Sequence, residues 1–365
     1  MALAIFYLLN GLVWIAIISS LGFWAKRLLL TRRRGERSEL VPLQGRDRPR
    51  WSLAEFLVMF GLMIIIFSIL TLVFRNQGYL ATPAPDVLVT ESMTDQRADT
   101  DVATTTVDSD ADPASNLIAL LLANSLAAIL AMSVTLLWLR HSKHVSITHL
   151  GLIPDRHDIA LGLKAAFWFL PPVLLVSLAA SFFIPYEHPV LETLATTRMP
   201  GAWFLLFLGT AIIAPITEEF MFRVLLQGGL QKLADPKVTT GATSSLELQS
   251  GVAADSENWI AGAYQPPGEI SMETTLSPAQ ADSNQAWLPR AIWPLLVTSV
   301  VFAMMHGGQG AAPVPLFFLS IGLGYLYRQT GRITPSLIVH MVLNSLTLSV
   351  EFSRMAAGLN ATTGI

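Results

Sequence analysis

The sequence predicts an all-α, polytopic membrane protein with about eight transmembrane helices and two disordered polar inserts. Three observations carry this. Hydrophobic residues make up 52% of the 365 positions and charged residues only 13%, with a mean hydropathy of +0.53, where soluble domains have about 45–50% and about 25%. The apolar residues gather into blocks of about 20, the length that crosses a hydrocarbon core about 30 Å thick at about 1.5 Å per residue. Lys and Arg concentrate in alternate loops, as the positive-inside rule requires.

The blocks place candidate spans at residues 2 to 24, 51 to 74, 116 to 139, 159 to 184, 202 to about 228, 290 to 306, 314 to 327 and 333 to 350. The first has no basic region ahead of it, and its basic cluster follows the apolar stretch, so it reads as a retained span and not as a cleaved signal. With residues 25 to 50 placed inside, the inner loops hold 17 of the 23 Lys and Arg and the outer segments hold 4. Both termini are therefore expected outside the cytoplasm, in a plasma (inner) membrane.

Two segments break the apolar pattern. Residues 76 to 115 carry eight acidic side chains among many Thr, Ser, Ala and Pro, and residues 233 to 287 carry seven with scattered Gly and Pro. Neither has enough apolar surface to repay the entropy of ordering. Both are expected to be disordered tethers, the first outside and the second cytoplasmic. The sequence thus divides into a two-span region with a basic inner loop and an acidic outer loop (1–115), a membrane-embedded core (116–350) and a C-terminal tail (351–365).

Composition also excludes some functions. A net charge of −3 without a dense basic field argues against a nucleic-acid partner, and zero cysteines remove thiolate catalysis and cysteine metal sites. The implied partners are the lipid bilayer and a membrane-associated protein or peptide.

Charges within apolar spans are costly, at about 2.5 to 3.5 kcal/mol each at the helix centre, and so mark pairing or function. Glu55 and Lys164 lie near span ends and can reach the interface. The run Thr217-Glu218-Glu219-Phe220-Met221-Phe222-Arg223 has no such escape for all three of its charges. On a helix Glu219 and Arg223 stand at i and i+4 and can pair. Glu218, about 100° away, is left without a local cation, a desolvated carboxylate placed for general base work.

Seven histidines occur. His141, His144, His149, His157 and His188 read as loop residues, whereas His306 ends the sixth span and His340 lies inside the eighth. Phe302 precedes His306 by one turn, and Asn344 follows His340 by one turn, sharing its face. A glutamate, two histidines and an asparagine on three helices hold the parts for water activation and oxyanion stabilisation. The same polar groups also fit a non-catalytic membrane scaffold or a proton-coupled transporter.

Taken together, Glu218-Glu219-x-x-x-Arg223, Phe302-x-x-x-His306 and His340-x-x-x-Asn344 resemble the signature of the CPBP family, which includes CAAX prenyl endopeptidases and the Abi proteins associated with bacteriocin immunity. The resemblance covers roughly residues 150 to 350, including Gly322-x-Gly324 and Arg332-Ile-Thr-Pro-Ser336. It implies an intramembrane endopeptidase in which Glu218 and His306 activate water, His340 and Asn344 stabilise the oxyanion, and Glu219, Arg223 and Phe302 support them. No cofactor is expected, with Zn²⁺ on Glu218, His306 and His340 the alternative.

Those span boundaries put Glu218 about 24 Å from the outer start of its helix and His306 about 24 Å from the inner start of its own, at opposite depths. Convergence requires the fifth helix to run on past Gly228, the sixth to tilt or to begin below the membrane surface, or a boundary to move.

Overall fold

The computed structural model describes residues 1–34, 39–80, 113–184, 200–235 and 286–359. The predicted disordered inserts 76–115 and 233–287 and residue His188 fall outside these, apart from the ends of the inserts. Among the described residues the protein forms eight helices at the eight predicted places: α1 (Ala2–Arg34), α2 (Leu53–Asn76), α3 (Pro113–Ser142), α4 (Arg156–Ser181), α5 (200–234), α6 (Trp293–Met304), α7 (Pro313–Thr330) and α8 (Thr334–Ala356). The last continues into the predicted tail. Six of them, α1 to α5 and α8, are long and apolar enough to cross a membrane. The other two form a hairpin, and α6 with its 12 residues rises only about 18 Å.

Helix ends follow ordinary capping chemistry. Ser52 and Glu55 make a reciprocal capping box at the start of α2, and Glu55 also lies 3.5 Å from Lys143 Nζ. Glu55 is therefore buried as a cap and does not reach outward as its position implies. Asp155 and Asp158 repeat the device at the start of α4, where Arg332 binds Asp158. Lys164 is exposed, as expected.

Prolines inside helices expose carbonyls that other helices then use. Pro172 has no N–H to give Trp168, four residues before it, and the Trp24 indole of α1 donates to the Trp168 carbonyl at 2.9 Å. A lone polar acceptor in an apolar bundle is costly, so this bond fixes α1 against α4.

The longest membrane helix, α5, is not uniform. Two wider π-helical stretches, Leu208–Ile213 and Phe220–Gln227, interrupt it, with Ala214 N–H donating to the Gly209 carbonyl and Gly228 N–H to the Arg223 carbonyl, five residues back. The second contains Arg223 and directly follows Glu219. Such stretches shift the side chains beyond them around the helix axis and recur at functional sites.

The depth conflict resolves at the far end of α5. The helix runs on past Gly228 to Ala234, and its end is tied to the start of α6: Asp235 carboxylate oxygens accept the Ala291 N–H at 3.2 Å, and Gln231 donates to the Ala291 carbonyl at 3.0 Å. From this shared end Glu218 lies about 24 Å up α5, and His306 about 20 Å up α6. Both therefore sit at one level.

A strap formed by residues 39–52 crosses the same end. Arg46 Nη1 donates to the Tyr327 carbonyl at 2.8 Å and stacks over the Trp287 and Tyr327 rings, Arg48 donates to the Lys232 carbonyl, and Trp51 Nε1 donates to the Val224 carbonyl at 2.7 Å. A single antiparallel bridge between Arg46 and Trp287 is the one β pairing among the described residues.

Candidate active site

The i, i+4 spacing on α5 places Glu219 against Arg223 as expected: Arg223 Nε donates to Glu219 Oε2 at 3.2 Å, and neither residue is exposed. Burying two charges costs several kcal/mol per ion unless further polar contacts offset it. Those contacts exist. Arg223 Nη2 donates to Ser320 Oγ at 2.9 Å, its guanidinium lies 5.4 Å from the centre of the Phe302 ring, and Glu219 Oε1 is 3.1 Å from His340 Nδ1.

One turn further along α5, Gln227 Nε2 donates to the Gly324 carbonyl at 2.8 Å. A Cβ on Gly324 would lie 2.9 Å from Gln227 Oε1 and 3.0 Å from Leu295 Cγ. Only glycine lets α7 pack this closely beside the ion pair.

Glu218 points the other way. Its side chain is 25% exposed, and Oε2 is 3.7 Å from His340 Nε2, longer than a direct hydrogen bond. It borders a cavity of about 230 Å³, whose walls also include His306, Gln309, Asn124, Met59 and Met63. A larger open depression, about 440 Å³, lies elsewhere, beside Arg140 and His144.

His306 occupies the turn between α6 and α7. Its Nδ1 is 2.8 Å from the Phe302 carbonyl; a carbonyl only accepts, so Nδ1 is the donor in this contact and Nε2 is the nitrogen left for other partners. Phe302 is fully buried and serves as the hub of the aromatic packing. Its ring centre is 4.9 Å from His306, 5.8 Å from His340 and 5.1 Å from Phe222.

Asn344 stands apart from this cavity. Its Nδ2 donates to the Thr210 carbonyl at 2.8 Å. Thr210 lies in the first π-helical stretch, where the next five-residue bond would come from residue 215, and Pro215 has no N–H. One amide N–H of Asn344 thus replaces a missing backbone donor, and the second is unspent.

The structure therefore brings Glu218, Glu219, Arg223, Phe302, His306 and His340 into one cluster, with Asn344 bonded to the same helix at Thr210. His141, His144, His149 and His157 lie outside it, and His149 pairs with Asp47 at 3.2 Å. Motif spacing did not single out Ser320, Gln227 or Pro215. Gln227 and Gln231 do continue the Glu219, Arg223 series at intervals of four, a stripe visible in the sequence. Among the described residues no group of three or more His, Asp and Glu side chains lies together as a metal site would require.

A family model described as Rce1-like, type II CAAX prenyl endopeptidase, matches residues 200–248 and 276–346. The matched stretches contain all seven candidate residues, from Glu218 to Asn344. No curated protein and no solved structure matches the sequence.

Proposed function

We propose that this integral membrane protein, whose residues 200–248 and 276–346 match the Rce1-like type II CAAX prenyl endopeptidase model, is a protease that cleaves a peptide bond of a membrane-associated polypeptide with water activated by Glu218 and His306. The observation that carries the reading is the shared cavity: a partly exposed carboxylate, free of any ion pair on its own helix, and an imidazole whose Nδ1 is taken up by the Phe302 carbonyl border one small space at one depth.

In the proposed reaction a water in that space gives a proton to Glu218 as its oxygen attacks the scissile carbonyl carbon. The carbonyl π electrons become an oxyanion. His340, held through Nδ1 by Glu219, directs Nε2 toward the developing charge and serves as the oxyanion donor when that nitrogen carries a proton, while Asn344 acts from outside the cavity by holding the Thr210 carbonyl of α5. The oxyanion then re-forms C=O as the C–N bond breaks, and Glu218 passes its proton to the departing amine, His306 having positioned the attacking water. Glu219 and Arg223 orient His340 and hold α5 against α7.

Charge distribution supports an orientation with the Ala234 end of α5 in the cytoplasm and both termini on the other side. A plasma membrane location and a prenylated or C-terminal substrate belong to the same proposal.

The test compares membranes carrying the wild-type protein with membranes carrying Glu218→Gln at equal abundance and equal melting temperature. New peptide ends that appear with the wild type and vanish with Glu218→Gln support the reading. An identical set of ends in both would sink it, and proton flux in liposomes with no peptide cleavage would replace it with transport.

A further inference from the structure

Two carboxamides in the cavity have no part in the proposed reaction. Asn124 lies in the middle of α3, in the run Leu121-Leu-Ala-Asn124-Ser-Leu-Ala-Ala-Ile-Leu130. It is exposed and makes no hydrogen bond with any described residue, although it borders the same cavity as Glu218 and His306. Gln309, in the turn three residues after His306, uses its backbone to close that turn, and its carboxamide is likewise unspent on the cavity wall. A polar group at mid-membrane is expensive without a partner, and so tends to mark a pathway or a ligand.

The chemistry of the partner follows from the chemistry of the pair. A carboxamide presents one acceptor and two donors, the complement of a peptide carbonyl and N–H. The remaining wall is soft: Met59, Met63, Met221 and Met305 supply flexible thioethers that adapt to differently shaped apolar groups. Ser125, beside Asn124, would lie 3.1 Å from a Cβ on Gly209, so the glycine keeps α3 close enough to α5 for Asn124 to border the cavity. The family match begins at residue 200 and leaves α3 outside it.

We infer that Asn124 and Gln309 form a carboxamide clamp that holds the backbone of an extended substrate segment across Glu218, while the methionine wall takes its apolar side groups. This inference rests on the proteolytic reading and adds how the substrate is recognised: through backbone amides, with tolerance for the identity of bulky apolar residues. Asn124 and Gln309 are positioning residues, and neither takes part in proton transfer.

The experiment uses the full-length protein in membranes and a synthetic peptide spanning a cleavage identified by the comparison with Glu218→Gln. Its amides on either side of the scissile bond are N-methylated one at a time. For the wild type, one N-methyl position is expected to cost about tenfold in kcat/KM, chiefly through KM, the range for one lost hydrogen bond. In Asn124→Leu the same N-methyl group should cost nothing further. Asn124→Ser, which retains a hydroxyl in place of the carboxamide, serves if the leucine variant does not fold. Equal N-methyl penalties in wild type and variant at every position, or an unchanged KM in the variant, overturn the clamp and leave the protease reading intact. Cleavage surviving Glu218→Gln defeats that reading itself, whatever Asn124 does.

Discussion

His340 Nδ1 meets Glu219 Oε1 at 3.1 Å, and that contact turns the opposite ring nitrogen toward Glu218. The two adjacent glutamates thereby divide their work: the fully buried one holds a histidine and an arginine, and the partly exposed one faces the cavity. Removing the buried partner leaves Arg223 enclosed without its carboxylate. Glu219→Ala is expected to cost about 3–5 kcal/mol, the range for breaking a buried pair, and Glu219→Gln less, because it still accepts from His340. Melting in detergent checks this, and a midpoint equal to wild type in the alanine variant would contradict it.

Asn344 has a structural task that its motif alone does not reveal. If its amide replaces the N–H missing at Pro215, Asn344→Ala should cost about 1–3 kcal/mol through the stranded Thr210 carbonyl. In a Pro215→Ala background the backbone regains that donor, so the Asn344→Ala penalty should shrink. The double-mutant cycle reads the coupling; strictly additive effects would separate the two residues.

The helices were legible because lipid leaves few alternatives: apolar runs of bilayer length must satisfy their own backbone groups. The Glu219–Arg223 pair was legible for a similar reason, since both partners lie on one helix at a fixed spacing. Depth was not legible. The polar residues Gln227 and Gln231 obscured the last turns of α5, which run beyond the apolar stretch, and the α6–α7 hairpin reads in composition like two ordinary spans. Contacts between distant segments, such as Arg223 with Ser320 or Trp51 with Val224, leave no periodic trace in sequence. Nor did composition show that Glu55 is held by a capping box with Ser52 instead of reaching outward.

Gly324 sets the distance between α5 and α7 at the ion pair. A methyl group there would press on Gln227 Oε1 at 2.9 Å and on Leu295 Cγ at 3.0 Å. Gly324→Ala should therefore destabilise by about 1–3 kcal/mol, the range for overpacking. Pairing it with Gln227→Ala should return part of that loss, because the longer glutamine is one of the two obstructions. A double variant as unstable as the sum of the singles would assign the strain to Leu295.

The strap makes its deepest contact through Trp51, which is almost fully buried and donates to the Val224 carbonyl in the second π-helical stretch. Trp51→Phe keeps an aromatic ring but withdraws the donor, leaving a buried acceptor unpaired at about 1–3 kcal/mol. Gly228 admits the indole: a Cβ on it would lie 3.0 Å from Trp51 Nε1 and 3.3 Å from Cζ2. Gly228→Ala should push the ring away and break the same hydrogen bond. Since both substitutions remove one interaction, Trp51→Phe combined with Gly228→Ala should cost clearly less than the two single losses added together. Thermal melting of the four proteins in detergent measures this, and full additivity would mean that Gly228→Ala leaves the indole hydrogen bond in place.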